Sequence, residues 1–295
     1  MPPRARAATL GAVRQRILAW YVADHRDLLF RRSRDPWPVL VAEVMLQQTQ
    51  AARISGRFNA FLDRYPSPEA MADAPQAQVL TDWSGLGYNR RAVLLHRTAR
   101  SLAAQGWPDT VEGLERLPGI GPYSARAVAS IAFGQPVGAV DTNVRRWIVR
   151  RFAADPANRR ALQDIADRLA EAAASSDPQE SGTWTHATME FGARICTARV
   201  PRCDICPVSR GCPSRSNPRR VPVPRQSAAT ADTRLARGAL LRALATAPAH
   251  RLGGRKASQI VKGGANGANY REITKGLERD GLLHRSGGDL ILGPR

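Results

Sequence analysis

Leu117-Pro118-Gly119-Ile120-Gly121-Pro122-Tyr123-Ser124-Ala125 is the stretch on which the reading of this 295-residue chain turns. It joins a helical pattern around Val111 to Arg116 to another that starts near Ser124, and its two glycines permit a tight turn. Such a turn brings bare backbone N–H groups close to a ligand, and the helix start behind it adds its dipole, so Gly119 and Gly121 suit a phosphate. A Gly-Pro turn with no ligand is the commoner meaning of a lone G-x-G, and on this segment alone both readings stand.

Outward from it the first 217 residues are helical in pattern. Val13, Ile17, Trp20 and Tyr21 fall at helical spacing, as do Val39, Val44, Met45 and Leu46 behind the start signal Asp35-Pro36-Trp37-Pro38. Val79, Leu80 and Trp83 mark a further short helix, and breaks recur at Tyr65-Pro66-Ser67-Pro68, Ser84-Gly85-Leu86-Gly87 and Gly106-Trp107-Pro108-Asp109. No segment alternates long enough for a sheet, so the expected class is all-α. From Ser214 to Asp232 the chain is rich in Pro, Ser and Arg and reads as an exposed linker. Behind it Leu235 to Leu244 and Tyr270 to Asp280 read as helices, Gly253 to Asn269 as a mobile Gly-rich connection, and Gly281 to Leu292 as a hairpin with Gly287-Gly288 at its tip. Helices followed by a hairpin are the parts of a small winged-helix-like module.

Lysines and arginines outnumber carboxylates 44 to 25, a net charge of +19 with a pI near 11.3. Lys256, Lys262 and Lys275 are the only lysines, which shows a bias toward Arg, but a bias between cations does not create an excess of them. The excess favours a polyanionic partner, whose condensed counterions are released on binding. No apolar run reaches the roughly 20 residues of a membrane helix. Met1 to Thr9 carries Arg4 and Arg6 but no apolar core of a signal peptide, so an intracellular protein without membrane contact is expected.

All four cysteines, Cys196, Cys203, Cys206 and Cys212, lie in one short segment. Thiols grouped this closely in an intracellular chain favour a metal or cluster over disulfides. Structural zinc usually takes two Cys-x-x-Cys pairs and only one is present, so an iron–sulfur cube leads, with zinc and then disulfides behind. Two acids stand out. Asp141, in Val140-Asp141-Thr142-Asn143-Val144, is placed to cap a helix, which would also make it a rigid carboxylate. Glu43 sits among apolar residues in Ala42-Glu43-Val44-Met45-Leu46; burial would raise its pKa and fit it for general acid work, whereas a half-exposed helix Glu is the bland alternative. Gln47-Gln48-Thr49-Gln50 and Gly85-Leu86-Gly87-Tyr88-Asn89 offer amides and an aromatic beside tight turns, suited to filling the gap left by an everted base.

Taken in order, these motifs resemble the MutY-type adenine DNA glycosylases over roughly residues 10 to 215, with a carboxy-terminal tail similar to that of actinobacterial members. The resemblance implies a helix-hairpin-helix glycosylase domain over 1–217, with a helical barrel at about 30–135 and a cluster-bearing half from 1–29 and 136–217. A linker at 218–232 and the winged-helix-like module at 233–295 follow. It implies a [4Fe-4S] cluster on Cys196, Cys203, Cys206 and Cys212, and a monomer acting on double-stranded DNA that holds a mismatch or oxidised guanine, in the nucleoid of a bacterial cytoplasm. Glu43 would protonate the adenine and Asp141 would stabilise the sugar cation, with Tyr123 and Asn143 ordering the site. Gln48 and Tyr88, with Gln47, Thr49 and Leu86 around them, would probe the duplex, and Gly119 and Gly121 would grip its backbone. The endonuclease III branch carries a lysine where Tyr123 stands, so a monofunctional enzyme is implied.

The chain departs from the family in having Leu29-Phe30-Arg31 where many members have Pro-Trp-Arg. Its 78 residues after Asn217 are also too few for the family's Nudix-like domain. The tail would contact DNA through Arg251, Arg255, Lys256 and Lys262 or bind a protein, unless these residues only form a solvated basic loop. The rival readings are a thymine or uracil mismatch glycosylase on the same scaffold, which needs no Glu43, and a non-catalytic iron–sulfur DNA-binding regulator, which needs no Asp141.

Overall fold

The computed structural model describes residues 7–172, 177–222, 230–265 and 268–295; Arg4, Arg6 and much of the expected linker lie outside them. The helices are α1 (Ala7–Ala23), α2 (Pro36–Leu46), α3 (Ala51–Arg64), α4 (Pro68–Ala72), α5 (Gln76–Asp82), α6 (Arg90–Gln105), α7 (Val111–Glu115), α8 (Pro122–Phe133), α9 (Thr142–Phe152), α10 (Arg159–Glu171) and α11 (Pro178–Arg194). Behind them come α12 (Thr230–Thr246), β1 (Arg251–Gly253), α13 (Gly254–Gly264), α14 (Tyr270–Arg279), β2 (Leu283–Ser286) and β3 (Asp289–Leu292). Among the described residues the molecule is thus mainly helical, with strands only near its end.

Two compact units are formed. The first holds Met1–Glu43, Pro108–Arg116 and Ile120–Val223; the second holds Val44–Trp107, Leu117–Gly119 and Pro224–Arg295. The first is built on α1 and α9 to α11 around Ile17, Trp147, Trp184 and Phe191, with the Trp147 and Phe191 rings edge to face at 5.8 Å and α8 packed on α11. Arg14 of α1 is buried there because its guanidinium donates to the carbonyls of Leu169 and Ala170 at the end of α10, and to Glu180 at 2.6 Å. It thereby satisfies helix-end acceptors that would otherwise be stranded in the core.

In the second unit α3 to α6 pack around Ile54, Phe58, Phe61 and Trp83, all buried. The carboxy-terminal elements belong to this unit as well. α12 packs on α5, the Gln76 amide donates to the Gly281 carbonyl at 2.7 Å, and Gly281 lies against Val93 and Arg97 of α6. Their sheet is antiparallel in the order β1-β3-β2, with Ser286 paired to Asp289 across the two-residue Gly287-Gly288 turn, where Gly287 has φ +60°.

The Gly253–Asn269 segment differs from its sequence reading: β1 ends at Gly253 and most of the segment is α13. Ala257 and Val261, one turn apart and both buried, supply an apolar face, while Gly253, Gly254, Gly263 and Gly264 fall at the helix ends. β1 escaped notice because its three residues are too short to show alternation.

Candidate active site

Glu43 lies in the last two turns of α2, whose neighbours Leu40, Val41, Ala42, Val44 and Met45 are all buried, and it is itself 6 % exposed. The Tyr123 hydroxyl, on the first turn of α8, donates to Met189 Sδ at 3.6 Å and lies near enough to the Glu43 carboxyl to favour its ionised form. The Glu43 Oε2 atom is buried with no hydrogen-bond partner among the described residues. Burial raises the Glu43 carboxyl to about 7; Asp141 nearby pushes it the same way, while Tyr123 and the Arg31 cation oppose the shift. A protonated carboxyl with a bare oxygen is a proton donor waiting for a base.

Asp141 is the N-cap of α9. Its Oδ1 accepts from the Val144 N–H at 2.6 Å and its Oδ2 from the Asn143 amide at 2.7 Å. Burial raises its pKa, and those hydrogen bonds pull it back down. Behind it, Asn143 Oδ1 accepts from Arg146 Nη2 at 2.9 Å, and Arg146 also donates to the Gly192 carbonyl at 2.6 Å and the Cys196 carbonyl at 2.7 Å. Gly192 is small for a reason, since a Cβ there would stand 2.7 Å from the Asn143 carbonyl oxygen. The Asp141 carboxylate is therefore tied through Asn143 and Arg146 to the start of the cysteine loop.

Two groups to which the sequence assigned no role at the site, Arg31 and Glu190, bear on this pocket. Arg31 donates to Glu190 at 2.8 Å, and Arg26 grips the same carboxylate at 2.7 and 2.8 Å. Burial alone would raise the fully buried Glu190, but these two cations hold it down to about 2. It anchors Arg31, whose charge is felt at Glu43 and Tyr123. In the sequence Glu190 is one more acid in Met189-Glu190-Phe191-Gly192; an acid inside an apolar helix run was the available signal.

The four cysteines line one cavity walled by Trp147, Phe191, Ile195 and Val208. Burial raises the Cys196 thiol, and Cys206 to about 11. Arg150 donates to the Thr197 carbonyl at 2.6 Å and the Ala198 carbonyl at 3.1 Å, and its Nη1 lies 3.5 Å from Cys196 Sγ, so the loop is shaped by an arginine of α9. Among the described residues no three Cys, His, Asp or Glu side chains draw together as a single-ion site. A ring of separated thiols in an apolar cavity does fit a larger group with one metal per thiolate.

The second unit carries the two expected probing loops. Gln48 (φ +57°) follows α2, and Tyr88 (φ +47°, 39 % exposed) precedes α6; both take the left-handed region that non-glycine residues avoid. Arg91, which sequence reasoning missed, holds both. It is 7 % exposed and donates to the carbonyls of Val44 (2.7 Å), Met45 (2.9 Å) and Gln47 (2.6 Å) and to the Thr49 hydroxyl (3.1 Å). Its other contacts are the carbonyls of Leu86 (3.3 Å) and Gly87 (3.0 Å) on the second loop. Leu86 is buried, so its side chain pins the loop inward and leaves Tyr88 as the exposed apolar group.

Gly119 has φ +78°, and a Cβ there would strike Leu94 at 2.7 Å. Gly121, the N-cap of α8, has an ordinary φ of −97° and open space around it. Neither conformation nor packing inside the chain requires a glycine at 121, which is what a position approached from outside would show.

Comparison with known proteins bears directly on these features. Residues 41–171 match the family described as HhH-GPD superfamily base excision DNA repair protein. The adenine DNA glycosylase of Mycobacterium tuberculosis is 42 % identical over 243 residues, 78 % of each chain. A thermostable thymine-DNA glycosylase structure superposes with a TM-score of 0.62 at 28 % identity, covering 69 % of this chain and 94 % of that one. An endonuclease III–DNA covalent intermediate shares the fold, with a TM-score of 0.59 at 23 % identity, covering 71 % of this chain and 97 % of that one. The chain belongs to the adenine DNA glycosylases of the helix-hairpin-helix base-excision repair superfamily.

Proposed function

We infer that this protein is a DNA glycosylase of base-excision repair that hydrolyses the N-glycosidic bond of adenine mispaired with 8-oxoguanine or guanine. The observation that carries the reading is the Glu43 carboxyl, protonated by burial up to about pH 7 and with one oxygen left bare beside a second, capped carboxylate. Leaving adenine must take a proton, and a purine offers N7. Glu43 gives that proton up, the C1′–N9 bond breaks with its electron pair going to the base, and the sugar becomes an oxocarbenium ion. Asp141 stabilises this cation by its charge, Tyr123 and Asn143 hold the two acids in place, and water adds at C1′ and returns a proton to the acid pair. With tyrosine and no lysine at position 123, no Schiff base forms there, so the enzyme is monofunctional.

Gln48 and Tyr88, with Gln47 and Thr49 beside them, probe the duplex from strained loops, and the backbone at Gly119 and Gly121 takes its phosphates. Cys196, Cys203, Cys206 and Cys212 hold a [4Fe-4S] cluster. When bound, it supplies the cationic charge that ionises its thiol ligands and orders the loop on which Arg146 and Arg150 lean. The enzyme works as a monomer on the chromosome, in the nucleoid; no helix among the described residues is long and apolar enough to cross a membrane.

Single-turnover base release from duplexes differing only in the target pair (A·8-oxoG, A·G, A·C, T·G and U·G) tests this. Release confined to adenine, fastest opposite 8-oxoguanine and lost in Glu43→Gln, is the expected result. Release of thymine or uracil, or tight binding with no release, overturns it.

A further inference from the structure

The carboxy-terminal elements from Thr233 onward hold twelve Lys and Arg against four Asp and Glu. Three of those acids are paired: Asp280 with Arg237, Asp289 with Arg251 and Glu278 with Arg285. What is left is ordered. Arg271, Lys275 and Arg279 recur every four residues along α14, all exposed, and among the described residues no acid pairs with them. The opposite face of α14, Ile273 and Leu277, is buried, and Asn269 caps its start, so the stripe is presented by a rigid helix. A basic helix face is often merely solvated. Here, however, three of the module's four acids are paired with arginines off this stripe, and one aligned row is left bare.

The row is also fixed with respect to a loop that meets DNA in the reading above. Gly281, two residues beyond Arg279, sits against Val93 and Arg97 of α6, with the Arg97 guanidinium 3.4 Å from where a Cβ would stand. Gly293 packs on Ala77 of α5, and α5 and α6 are the helices between which the Tyr88 loop runs. Arg97 and Arg90 are exposed and two turns apart on α6, and Arg90 is two residues from Tyr88. Cations therefore run from α14 through Arg97 and Arg90 to that loop.

We propose that the carboxy-terminal module is a second duplex-DNA contact, in which Arg271, Lys275 and Arg279 of α14 bind the phosphates flanking the target base. The proposal rests on the glycosylase reading for the placing of the target, but it claims a contact that the active site does not supply. It assigns to the module a sequence-independent, salt-dependent share of affinity and the job of holding the Tyr88 loop on the duplex.

The test measures affinity of the full-length protein for a long duplex across a salt series. In R271Q/K275Q/R279Q the slope of log affinity against log salt should fall in magnitude by about 2–3, because each lost phosphate contact removes about 0.9. The exposed sites leave the thermal midpoint unchanged, and Glu272→Gln, which removes the remaining acid on α14, should tighten binding. R16Q/R159Q/R160Q, with the same loss of charge on the first unit, should leave the slope where it was. An unchanged slope in the α14 variant, or an equal fall in the first-unit variant, overturns the proposal and leaves the face to solvent or a protein partner. Should the wild type release no adenine while the α14 variant still loses its slope, the glycosylase reading fails and the contact stands.

Discussion

Glu43 and Asp141 in the first unit, and Gln48 and Tyr88 in the second, are held in states they would not adopt alone, but by different physics. In the pocket the unfavourable element is electrostatic: two carboxyls are stripped of water, and both pKa values rise. In the loops it is conformational: two residues with side chains sit at φ +57° and +47°. Each is maintained by a buried arginine, Arg146 behind Asp141 and Arg91 beneath both loops. Chemistry and DNA probing should therefore fail separately, each with its own signature.

The largest separation is expected from Glu43→Gln. Loss of a general acid costs about 10²–10⁴ in single-turnover rate, and the alkaline fall in activity near pH 7 should vanish with it. Stability should move the other way. The folded pKa of Glu43 is raised, so its contribution is fully present below the unfolded value near 4.5 and is lost as pH rises through about 7. Above that, the wild type gives up about 3 kcal/mol that the amide does not, the free energy of carrying the carboxyl from its ordinary value of 4.5 to about 7. Thermal melts should show the variant several degrees more stable at pH 8 and level with the wild type at pH 4. A variant less stable than the wild type at pH 8 would refute the buried-acid account.

Arg91→Met tests the other side of the comparison. It leaves carbonyls of both loops unsatisfied and should cost about 1–3 kcal/mol of stability for each buried acceptor that finds no new donor. Discrimination between an A·8-oxoG and an A·T duplex should collapse, while the alkaline limb set by Glu43 stays near pH 7. A shift of that limb would mean that loops and pocket are not independent.

What the sequence disclosed was what lies close along the chain. The hairpin around Gly119, the Asp141 cap and the grouped cysteines are each contained in a few residues, so spacing carries their meaning. Glu43 was legible because an acid interrupts an apolar run. Arg91, Arg146 and Glu190 were not, because their partners lie elsewhere: Arg91 reaches back to Val44, and Arg26 reaches forward to Glu190. In a chain so rich in arginine, nothing local distinguishes one buried among carbonyls from one in solvent. α13 was hidden because composition was read as conformation, the glycines at its ends outweighing Ala257 and Val261 within it.

Arg146 gives the smallest effect and the sharpest discrimination. Asp141 keeps its cap from Val144 whatever happens to Arg146, so the carboxylate stays at the helix start. What Arg146→Met removes is the donor to Asn143 Oδ1 and to the Gly192 and Cys196 carbonyls, which leaves the Asn143 amide free to turn away from Asp141. With one carboxylate oxygen losing a donor, the Asp141 pKa should climb further. The acid limb of the pH–rate profile should then shift upward while the Glu43 limb does not move, with a rate loss of about tenfold, the worth of one hydrogen bond to a charged group. Arg146→Lys should recover part of the acid limb, since an ammonium can reach one of the three acceptors. If both variants slow release equally at every pH, Arg146 serves only to pack the cysteine loop and has no part in setting the charge on Asp141.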